Sequence, residues 1–448
     1  MSSRNNEPQL DMALVNSVKR KNSGGYEKSR RADDNARNSY VNKGNKNKNE
    51  NRKKTNSKKS KRKRKKKHRV LRTCLVFIVL FIVGMFVYIK YVPGSKKFIL
   101  THCGDTFIKF FVSEETYKNI FDSEFDDGDI IVNEGVDKEK FNGFYTIALF
   151  GIDARDGKMD AGVNSDSIIV LSINQDTGQV VMSSIYRDTW VKIPSKTEGN
   201  VYRKINSAFT TGGAKNVINA MNSNFDLNIS DYVTINFQGL ATIIDMLGGL
   251  DLTITEDEKK YINSYMEENR QVTGIKSPDV KKAGNVHLDG LQSVAYCRIR
   301  YCTFYAPDGT KISNDMGRTA RQRYILSLMI DKAKNAGVSK VIDIAKKVLS
   351  GEDNVIRTSI AYDELMEMIP TFINFELGQT KGFPFTYDFP DSSLTNGQSA
   401  LVPGGLVYNV RHLHEFLYGV DNYIPSDKVN NIDRELKKAT GIDDIKIP

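Results

Sequence analysis

A basic run that passes directly into an uncharged apolar stretch divides this chain of 448 residues into two unlike parts. No residue from Thr73 to Ile89 is charged, and the wider span 70–92 is long enough for the roughly 20 residues that cross a bilayer core. The stretch has no polar face, which a helix on a soluble domain would show, and it lacks the position and cleavage site of a secretory signal. We therefore predict a single transmembrane helix at residues 70–92, retained as an anchor.

The segment before this helix carries the basic excess of the chain. Residues 1–69 contain 24 Lys and Arg against 6 Asp and Glu, and the remaining residues contain 41 against 48. With few aromatic or β-branched residues, this tail cannot bury enough apolar surface to fold, so we predict that it is disordered. Basic flanks stay in the cytoplasm, which predicts a single-pass protein of the cell membrane with its tail inside, on anionic lipid headgroups. Binding of nucleic acid by the basic run is disfavoured by the adjacent anchor.

The rest of the chain is predicted to lie outside the cell. We expect a stalk at 93–140, a folded domain at 141–425 and a C-terminal extension at 426–448. Apolar runs alternate with helical patterns, which predicts an α/β fold with a central mixed sheet flanked by helices. Cys103, Cys297 and Cys302 do not make a disulfide framework. The predicted strands are 145–150, 167–174, 179–185, 232–236, 250–255 and 296–301, and the predicted helices are 214–225, 238–247, 289–295, 316–336, 340–349 and 361–375.

Two aspartates stand next to predicted strand ends. Asp153 follows the first strand, and Asp166 precedes the second. Carboxylates at neighbouring strand edges can share a hard cation such as Mg²⁺, which prefers one or two protein carboxylates together with water and phosphate oxygens. The alternative is a pair of loop aspartates that cap turns.

Six arginines suggest an anion site in this net-acidic part of the chain. Arg298 and Arg300 are two apart on a predicted strand, so they should share a face. Arg318 and Arg321 are three apart on a helix, which also predicts a shared face, and Arg318 opposes the helix dipole just after Asp315, a predicted N-cap. A bound phosphate would relieve that conflict. The alternative is ordinary surface arginines paired with Asp188, Asp289 and Asp315. The six are Arg155, Arg187, Arg298, Arg300, Arg318 and Arg321.

Motifs between Tyr145 and Arg323 resemble those of the LytR–CpsA–Psr family of Gram-positive bacteria. Each motif is weak alone, but their order and spacing together are specific. One departure is Tyr186, where the family usually has proline. The matching motifs are Gly151-Ile-Asp153-Ala-Arg155, Ser165-Asp166-Ser167, Arg187-Asp188-Thr189, Lys204-Ile-Asn206, Gly248-Gly249, His287-Leu-Asp289-Gly290, Arg298-Ile-Arg300 and Asp315-Met-Gly-Arg318-Thr-Ala-Arg321-Gln322.

The resemblance implies a phosphotransferase of the cell wall. Such enzymes attach anionic glycopolymers of teichoic acid or capsule type to peptidoglycan, from a polyprenyl-pyrophosphate donor. The muramic-acid 6-hydroxyl attacks the sugar-linked phosphorus, and polyprenyl phosphate leaves. It also implies a central sheet wrapped by helices, with an apolar tunnel for the polyprenyl chain.

Roles for individual residues follow from combining the resemblance with phosphoryl-transfer chemistry, which needs alignment and charge stabilisation. Asp153 and Asp166 would hold Mg²⁺, the six arginines would clamp the pyrophosphate, and either metal aspartate or Asp188 would take the proton. Lys204, Asn206 and Gln322 would bind substrate. Other classes stay open: a membrane-anchored regulatory or transcription-attenuating protein, although no DNA-binding helix motif is visible; a non-catalytic wall-polymer module, which intact Asp153 and Asp166 disfavour; and a lipid pyrophosphatase.

Overall fold

The computed structural model describes residues 120–121, 130–136, 141–154, 159, 161–194, 201–349, 354–372 and 374–445. The predicted tail, the predicted membrane helix, most of the predicted stalk and Arg155 lie outside these residues. Within them, no helix is both long and apolar enough to span a membrane.

The described residues form fourteen strands and eight α-helices. The strands are β1 (Phe144–Ile152), β2 (Ser165–Asn174), β3 (Gln179–Ile185), β4 (Trp190–Ile193), β5 (Val201–Lys204), β6 (Asp231–Asn236), β7 (Leu250–Ile254), β8 (Gly284–Leu288), β9 (Phe304–Tyr305), β10 (Lys311–Ile312), β11 (Ile356–Thr358), β12 (Glu376–Phe383), β13 (Tyr387–Asp388) and β14 (Val402–Pro403). The helices are α1 (Ser207–Phe225), α2 (Phe237–Met246), α3 (Glu256–Thr273), α4 (Gly290–Arg298), α5 (Asn314–Val348), α6 (Tyr362–Phe372), α7 (Leu406–Tyr418) and α8 (Asp427–Thr440).

The central sheet has six strands in the order β11-β6-β1-β2-β3-β12. Strands β1, β2 and β3 pair antiparallel, whereas β6 pairs parallel with β1 and β12 parallel with β3, so the predicted mixed sheet is confirmed. The pairing of β1 with β2 shifts register between Gly151 and Ile152. Such a bulge bends the strand and re-aims the side chains beyond it, here at the point where Asp153 follows.

Helices cover both faces of the sheet. Alternate residues of β1, including Ala148 and Phe150, join a core with residues of α1, α7 and α8. On the other face, Ile169 and Met182 pack against Ile330 of α5. A second core is formed by α2, α3, α4 and α5 with β7 and β8. The site described below lies where this second core meets the end of the sheet.

The structure corrects several of the predicted elements. No strand forms at 296–301. Helix α4 continues to Arg298, and residues 299–303 follow it outside any helix or strand. Helix α5 is broken at Gly337 (φ 81°), as the two predicted helices implied. Helices α3, α7 and α8 and strand β12 were not predicted from the sequence.

The two ends of the folded domain extend beyond the predicted bounds. Val429, Ile432 and Leu436 of α8 lie in the same core as β1, so packing continues past residue 425. At the other end, Phe121 is buried and bridges to Thr358. Residues assigned to an extension and a stalk therefore contribute to the fold.

We expect Ile432→Ala to lower the free energy of unfolding by about 2–5 kcal/mol, because the side chain is fully buried and its removal leaves a cavity. Urea unfolding followed by circular dichroism would measure the change. Ile424→Ala is the matched control, since Ile424 is 80% exposed and should change stability by less than about 0.5 kcal/mol. Equal, small effects of both substitutions would show that α8 is an appendage.

Candidate active site

A cavity of about 290 Å³ opens between the end of the central sheet and helices α2, α4 and α5. Its inner wall is apolar and is contributed by sheet and helix residues such as Leu149, Ile169 and Met329. Its polar lining contains six of the residues predicted for the site, and these are Asp153, Asp166, Arg298, Arg300, Arg318 and Gln322. The cavity thus combines an apolar interior with a charged portion, as an amphiphilic ligand requires.

The strand pairing explains why the two aspartates meet. Gly151 of β1 lies opposite Ser167 of β2, so Asp153 just after β1 and Asp166 near the start of β2 reach the same end of the sheet. Both residues line the cavity. Of the described residues, no group of three or more His, Cys, Asp or Glu is arranged to hold a metal ion, so any metal here would rely on this pair and on ligand oxygens.

Arg187 follows β3 and forms ion pairs with Asp166, which lines the cavity, and with Asp315. Its Nη1 donates to Oδ1 of Asp166 at 2.5 Å, and its Nε lies 3.7 Å from Oδ2 of Asp315. Burial opposes the charge on Arg187, but the carboxylates of Asp315 and Asp166 outweigh burial and raise the pKa of the guanidinium. Arg187 is therefore held in place by ion pairs.

Arg318 sits in the first turns of α5 and is almost completely buried. Its Nη2 donates to the backbone oxygen of Asp166 at 3.2 Å and to Oδ2 of Asp315 at 3.1 Å, whereas its buried Nε has no hydrogen-bond partner among the described residues. Burial lowers the pKa of Arg318 to about 10, and repulsion from Arg187 and Arg300 adds to the shift. Because a lowered pKa disfavours the charged form, the fold carries this cation at a free-energy cost at neutral pH.

Asp315 is the carboxylate that gathers the arginines, and the sequence named it among the aspartates with which they could pair. It lies within 3.7 Å of both Arg187 and Arg300 and pairs with Arg318. The predicted N-cap at Asp315 is wrong, since α5 begins one residue earlier and its N-cap is Ser313. The spacing of three residues between Asp315 and Arg318 on a helix was the signal available.

Arg298 and Arg300 reach the cavity for a different reason from the one predicted. They do not share a strand face; Arg298 ends α4, and Arg300 follows in the loop. The Arg298 guanidinium lies 4.8 Å from the ring centre of Tyr265 and donates to Oε2 of Glu268 at 2.7 Å. A cation held against an aromatic ring and a carboxylate has a fixed orientation.

Arg321 does not lie in the cavity. It is fully buried, and its Nε and Nη2 donate to Oε1 of Glu258 at 3.0 and 2.9 Å. Positions three apart on a helix are separated by about 60° around the axis, so long side chains can diverge to either side. Arg318 turns to the sheet end, and Arg321 turns to α3, where Glu258 completes a capping box with Thr255.

The remaining predicted residues divide between the cavity and the loop beside it. Gln322 lines the cavity, and its buried Oε1 has no hydrogen-bond partner among the described residues. Asp188 does not line the cavity and pairs with Lys204, whose Nζ lies 3.0 Å from Oδ1. The backbone N–H of Asn206 donates to the Arg187 carbonyl at 3.2 Å, so this residue supports the Arg187 loop.

Tyr186, which replaces the usual proline, does not open the turn before Arg187. The backbone N–H of Thr189 donates to the Tyr186 carbonyl at 2.9 Å, and the Tyr186 ring packs edge-on against Tyr387. Burial raises the pKa of Tyr186 to about 12, so the phenol stays protonated at neutral pH. A buried aromatic ring thus anchors the turn that carries Arg187.

The family model of the LytR_cpsA_psr family matches residues 112–397. This range is more than half of the chain, and the chain belongs to the LytR–CpsA–Psr family.

Curated relatives are similar over about half of the chain. The polyisoprenyl-teichoic acid–peptidoglycan teichoic acid transferase TagV of Bacillus subtilis is 30% identical over 226 residues, which are 50% of this chain and 52% of that protein. Biofilm regulatory protein A of Streptococcus mutans is 33% identical over 224 residues, 48% of this chain and 50% of that protein. The chain therefore spans about half the length of these relatives.

Solved structures match at lower identity. The crystal structure of TagV from Bacillus subtilis has a TM-score of 0.43 and 23% identity, covering 66% of this chain and 97% of that chain. A structure of TagT with bound octaprenyl pyrophosphate lipid has a TM-score of 0.40 and 18% identity, covering 68% of this chain and 92% of that chain.

We expect Arg321→Leu to lower the free energy of unfolding by about 3–5 kcal/mol, because it leaves the buried Glu258 carboxylate without its partner. Urea unfolding would measure the loss. The double substitution Arg321→Leu with Glu258→Leu should recover part of it, since both charges are then removed. Arg434→Leu, at an exposed position of α8, is the control. A stable Arg321→Leu protein that fails to bind an anion would instead place Arg321 in the site.

Proposed function

We propose that this protein is a membrane-anchored phosphotransferase that moves an anionic glycopolymer from a polyprenyl-pyrophosphate carrier to the muramic-acid 6-hydroxyl of peptidoglycan. One observation carries the proposal: a single cavity has an apolar wall and, in its polar lining, Arg298, Arg300 and Arg318 beside two aspartates. A lipid pyrophosphate has the same two-part chemistry. The family relatives named as teichoic acid transferases support the same reaction class.

The arginines are suited to hold a pyrophosphate. Guanidinium groups bind phosphate oxygens through paired N–H donors, and three of them converge here where their mutual repulsion is only partly offset. Burial is the main cause of the lowered pKa of Arg318, and repulsion from Arg187 and Arg300 adds to it. A pyrophosphate in the cavity would supply the missing negative charge, and the Oε1 of Gln322 would accept a hydrogen bond from a sugar hydroxyl.

Asp153 and Asp166 fit the requirements of a Mg²⁺ ion bound together with a pyrophosphate. Mg²⁺ takes one or two carboxylates from proteins at such sites, and this pair fits that number. Among the described residues, the arginine side chains contact Asp166 at Oδ1. Oδ2 would therefore be the oxygen that binds a cation. A bound Mg²⁺ would neutralise charge on the pyrophosphate as a Lewis acid.

The proposed reaction exchanges the phosphoanhydride bond of the donor for a new phosphodiester linkage. The oxygen of the acceptor hydroxyl bonds to the sugar-linked phosphorus, and the bond from that phosphorus to the bridging oxygen breaks and releases polyprenyl phosphate. The hydroxyl proton passes to a carboxylate. Asp153 and Asp166 line the cavity, whereas Asp188 pairs with Lys204 outside it, so the two cavity aspartates are better placed to accept the proton.

The apolar stretch at 70–92 supports a position at the membrane, where a lipid-linked donor resides. The basic run before it favours a cytoplasmic tail on anionic lipid and a catalytic domain outside the cell. The reaction takes its energy from the pyrophosphate of the donor, so it needs no nucleotide.

We expect geranylgeranyl pyrophosphate to raise the melting temperature of the protein by linkage, because it binds the folded state. Arg300→Ala should weaken its affinity by about ten- to a hundredfold, as removal of one hydrogen bond to a charged group costs about 1.5–3 kcal/mol. Arg300→Lys should recover only part, since lysine keeps the charge and loses the planar fork. Isothermal titration would measure the affinities.

The exposed Arg434 provides the control, and Arg434→Ala should bind as the unchanged protein does. Geranylgeraniol, which lacks the pyrophosphate, should bind more weakly than the pyrophosphate. Equal affinities of Arg300→Ala and the unchanged protein for geranylgeranyl pyrophosphate would remove the main support for the transferase.

We expect Mg²⁺ to increase the ligand-induced shift in melting temperature, and EDTA to abolish that increase. Asp153→Asn and Asp166→Asn should each remove the Mg²⁺-dependent part of the shift, because an amide is a weaker ligand for a hard cation. Asp443→Asn, at an exposed position, should leave it intact. A Mg²⁺-dependent shift that survives both cavity substitutions would rule out these residues as the metal ligands.

A further inference from the structure

A second groove, of about 660 Å³, lies on the face of the central sheet opposite the cavity. Side chains alternate along a strand, and on β1 Phe144 lines the groove, whereas Leu149, of opposite parity, lines the cavity. On β2, Ser172 likewise lines the groove and Ile169 lines the cavity. Helix α7 forms the opposite wall of the groove. We call this site the distal groove, defined by Phe144, Ser172, Gln179, Gln379, Phe385 and Phe416.

The Phe144 end of the distal groove is also distant from the two cavity aspartates along the strands. Phe144 begins β1, and Ile152 ends it next to Asp153. Eight residue steps in a strand span about 26 Å, at about 3.3 Å per residue. A ligand in the distal groove therefore binds apart from the proposed reaction centre.

The distal groove offers aromatic faces together with amide groups. Phe144, Phe385 and Phe416 are only partly buried, and Gln179 and Gln379 are exposed at its rim. The carbon–hydrogen faces of a pyranose ring pack on the negative faces of aromatic rings, and its hydroxyls pair with amide donors and acceptors. These are the groups that a saccharide needs.

Two polar atoms in the groove wall are buried without a hydrogen-bond partner among the described residues. Ser172 is 1% exposed, and its Oγ has no hydrogen-bond partner among the described residues. Nδ1 of His412, which also lines the groove, lacks a hydrogen bond as well and lies 3.8 Å from the carboxylate of Glu415. Buried polar atoms are nearly always satisfied, so these two atoms point to a ligand with hydroxyl or amide groups.

The charges in the distal groove oppose each other. Lys381 lies over the Phe416 ring, with its Nζ 5.1 Å from the ring centre, and Glu415 carries the opposite charge on α7. The cavity, in contrast, collects arginines. A polyanion would find little net attraction in the distal groove, which favours an uncharged ligand.

We propose that the distal groove binds an uncharged saccharide, such as the N-acetylated sugar chain of a glycan. This goes beyond the proposed transfer reaction, because the groove needs neither the pyrophosphate nor the metal. Such a chain occurs in peptidoglycan and also within wall glycopolymers. The balanced charge of the groove favours the peptidoglycan glycan, and the test separates the two sources.

The experiment measures the binding of tetra-N-acetylchitotetraose to the full chain by isothermal titration. We expect Phe416→Ala to weaken binding by about tenfold, because one stacking surface is lost. Ser172→Ala should weaken binding by about threefold or more without lowering the melting temperature, since it removes an oxygen that has no partner in the fold. Phe389→Ala, at a ring 56% exposed outside the groove, should bind as the unchanged protein does.

Three outcomes would overturn the proposal: no binding of the tetrasaccharide by the unchanged protein, unchanged affinity in both groove variants, or groove-dependent binding of a purified phosphate-rich wall polymer but not of peptidoglycan stripped of its polymers. If Phe416→Ala does not fold, Ser172→Ala decides. Both groove variants should keep the full response to geranylgeranyl pyrophosphate, so failure of the groove is distinguishable from failure of the proposed transferase.

Discussion

Repulsion among the guanidinium groups of Arg187, Arg300 and Arg318 is the constraint around which the site is built. Two carboxylates, Asp166 and Asp315, lie between these cations and offset much of it. The compensation differs between two of the cations. The pKa of Arg187 is raised, whereas that of the more deeply buried Arg318 is lowered. Arg318 therefore carries its charge at a free-energy cost, and a phosphate group in the cavity would add negative charge beside it.

The geometry of this charge cluster depends on the strands that carry it. Antiparallel pairing brings the end of β1, the start of β2 and the end of β3 to the same end of the sheet, and with them Asp153, Asp166 and Arg187. Helix α5 then crosses that end and adds Asp315 and Arg318 from a single turn. Since the sheet and α5 also form the apolar wall, the same packing that stabilises the fold shapes the space for a lipid.

The sequence predicted the parts of this arrangement that depend on local pattern. Strands β1, β2, β3 and β6 and the break at Gly337 followed from periodicity and turn residues, and the two aspartates followed from their places at strand ends. Arg298 and Arg300 line the same cavity as the aspartates, although the strand from which they were placed together does not form. The stretch 296–301, in which Arg298 and Arg300 alternate with Cys297 and Ile299, is too short for periodicity alone to separate a strand from a helix end.

What could not be predicted depends on contacts between distant segments. Arg321 belongs to the same sequence motif as Arg318. Its partner Glu258, however, lies 63 residues away on a helix that was not predicted. The capping box from Thr255 to Glu258 was the available sign of that helix. Likewise, nothing in the local pattern of α8 shows that Ile432 and Leu436 pack against the core under β1.

The two faces of the central sheet therefore present different chemistry. The alternation of side chains on β1 and β2 sends Leu149 and Ile169 to the arginine-lined cavity and Phe144 and Ser172 to the groove in which Lys381 and Glu415 balance each other. A phosphate site must concentrate positive charge, and the same charge would attract wall polyanions to any neighbouring glycan site. Placing the two sites on opposite faces of the sheet, with Phe144 about 26 Å along β1 from the aspartate end, would let one domain bind an anion and an uncharged sugar without competition between them.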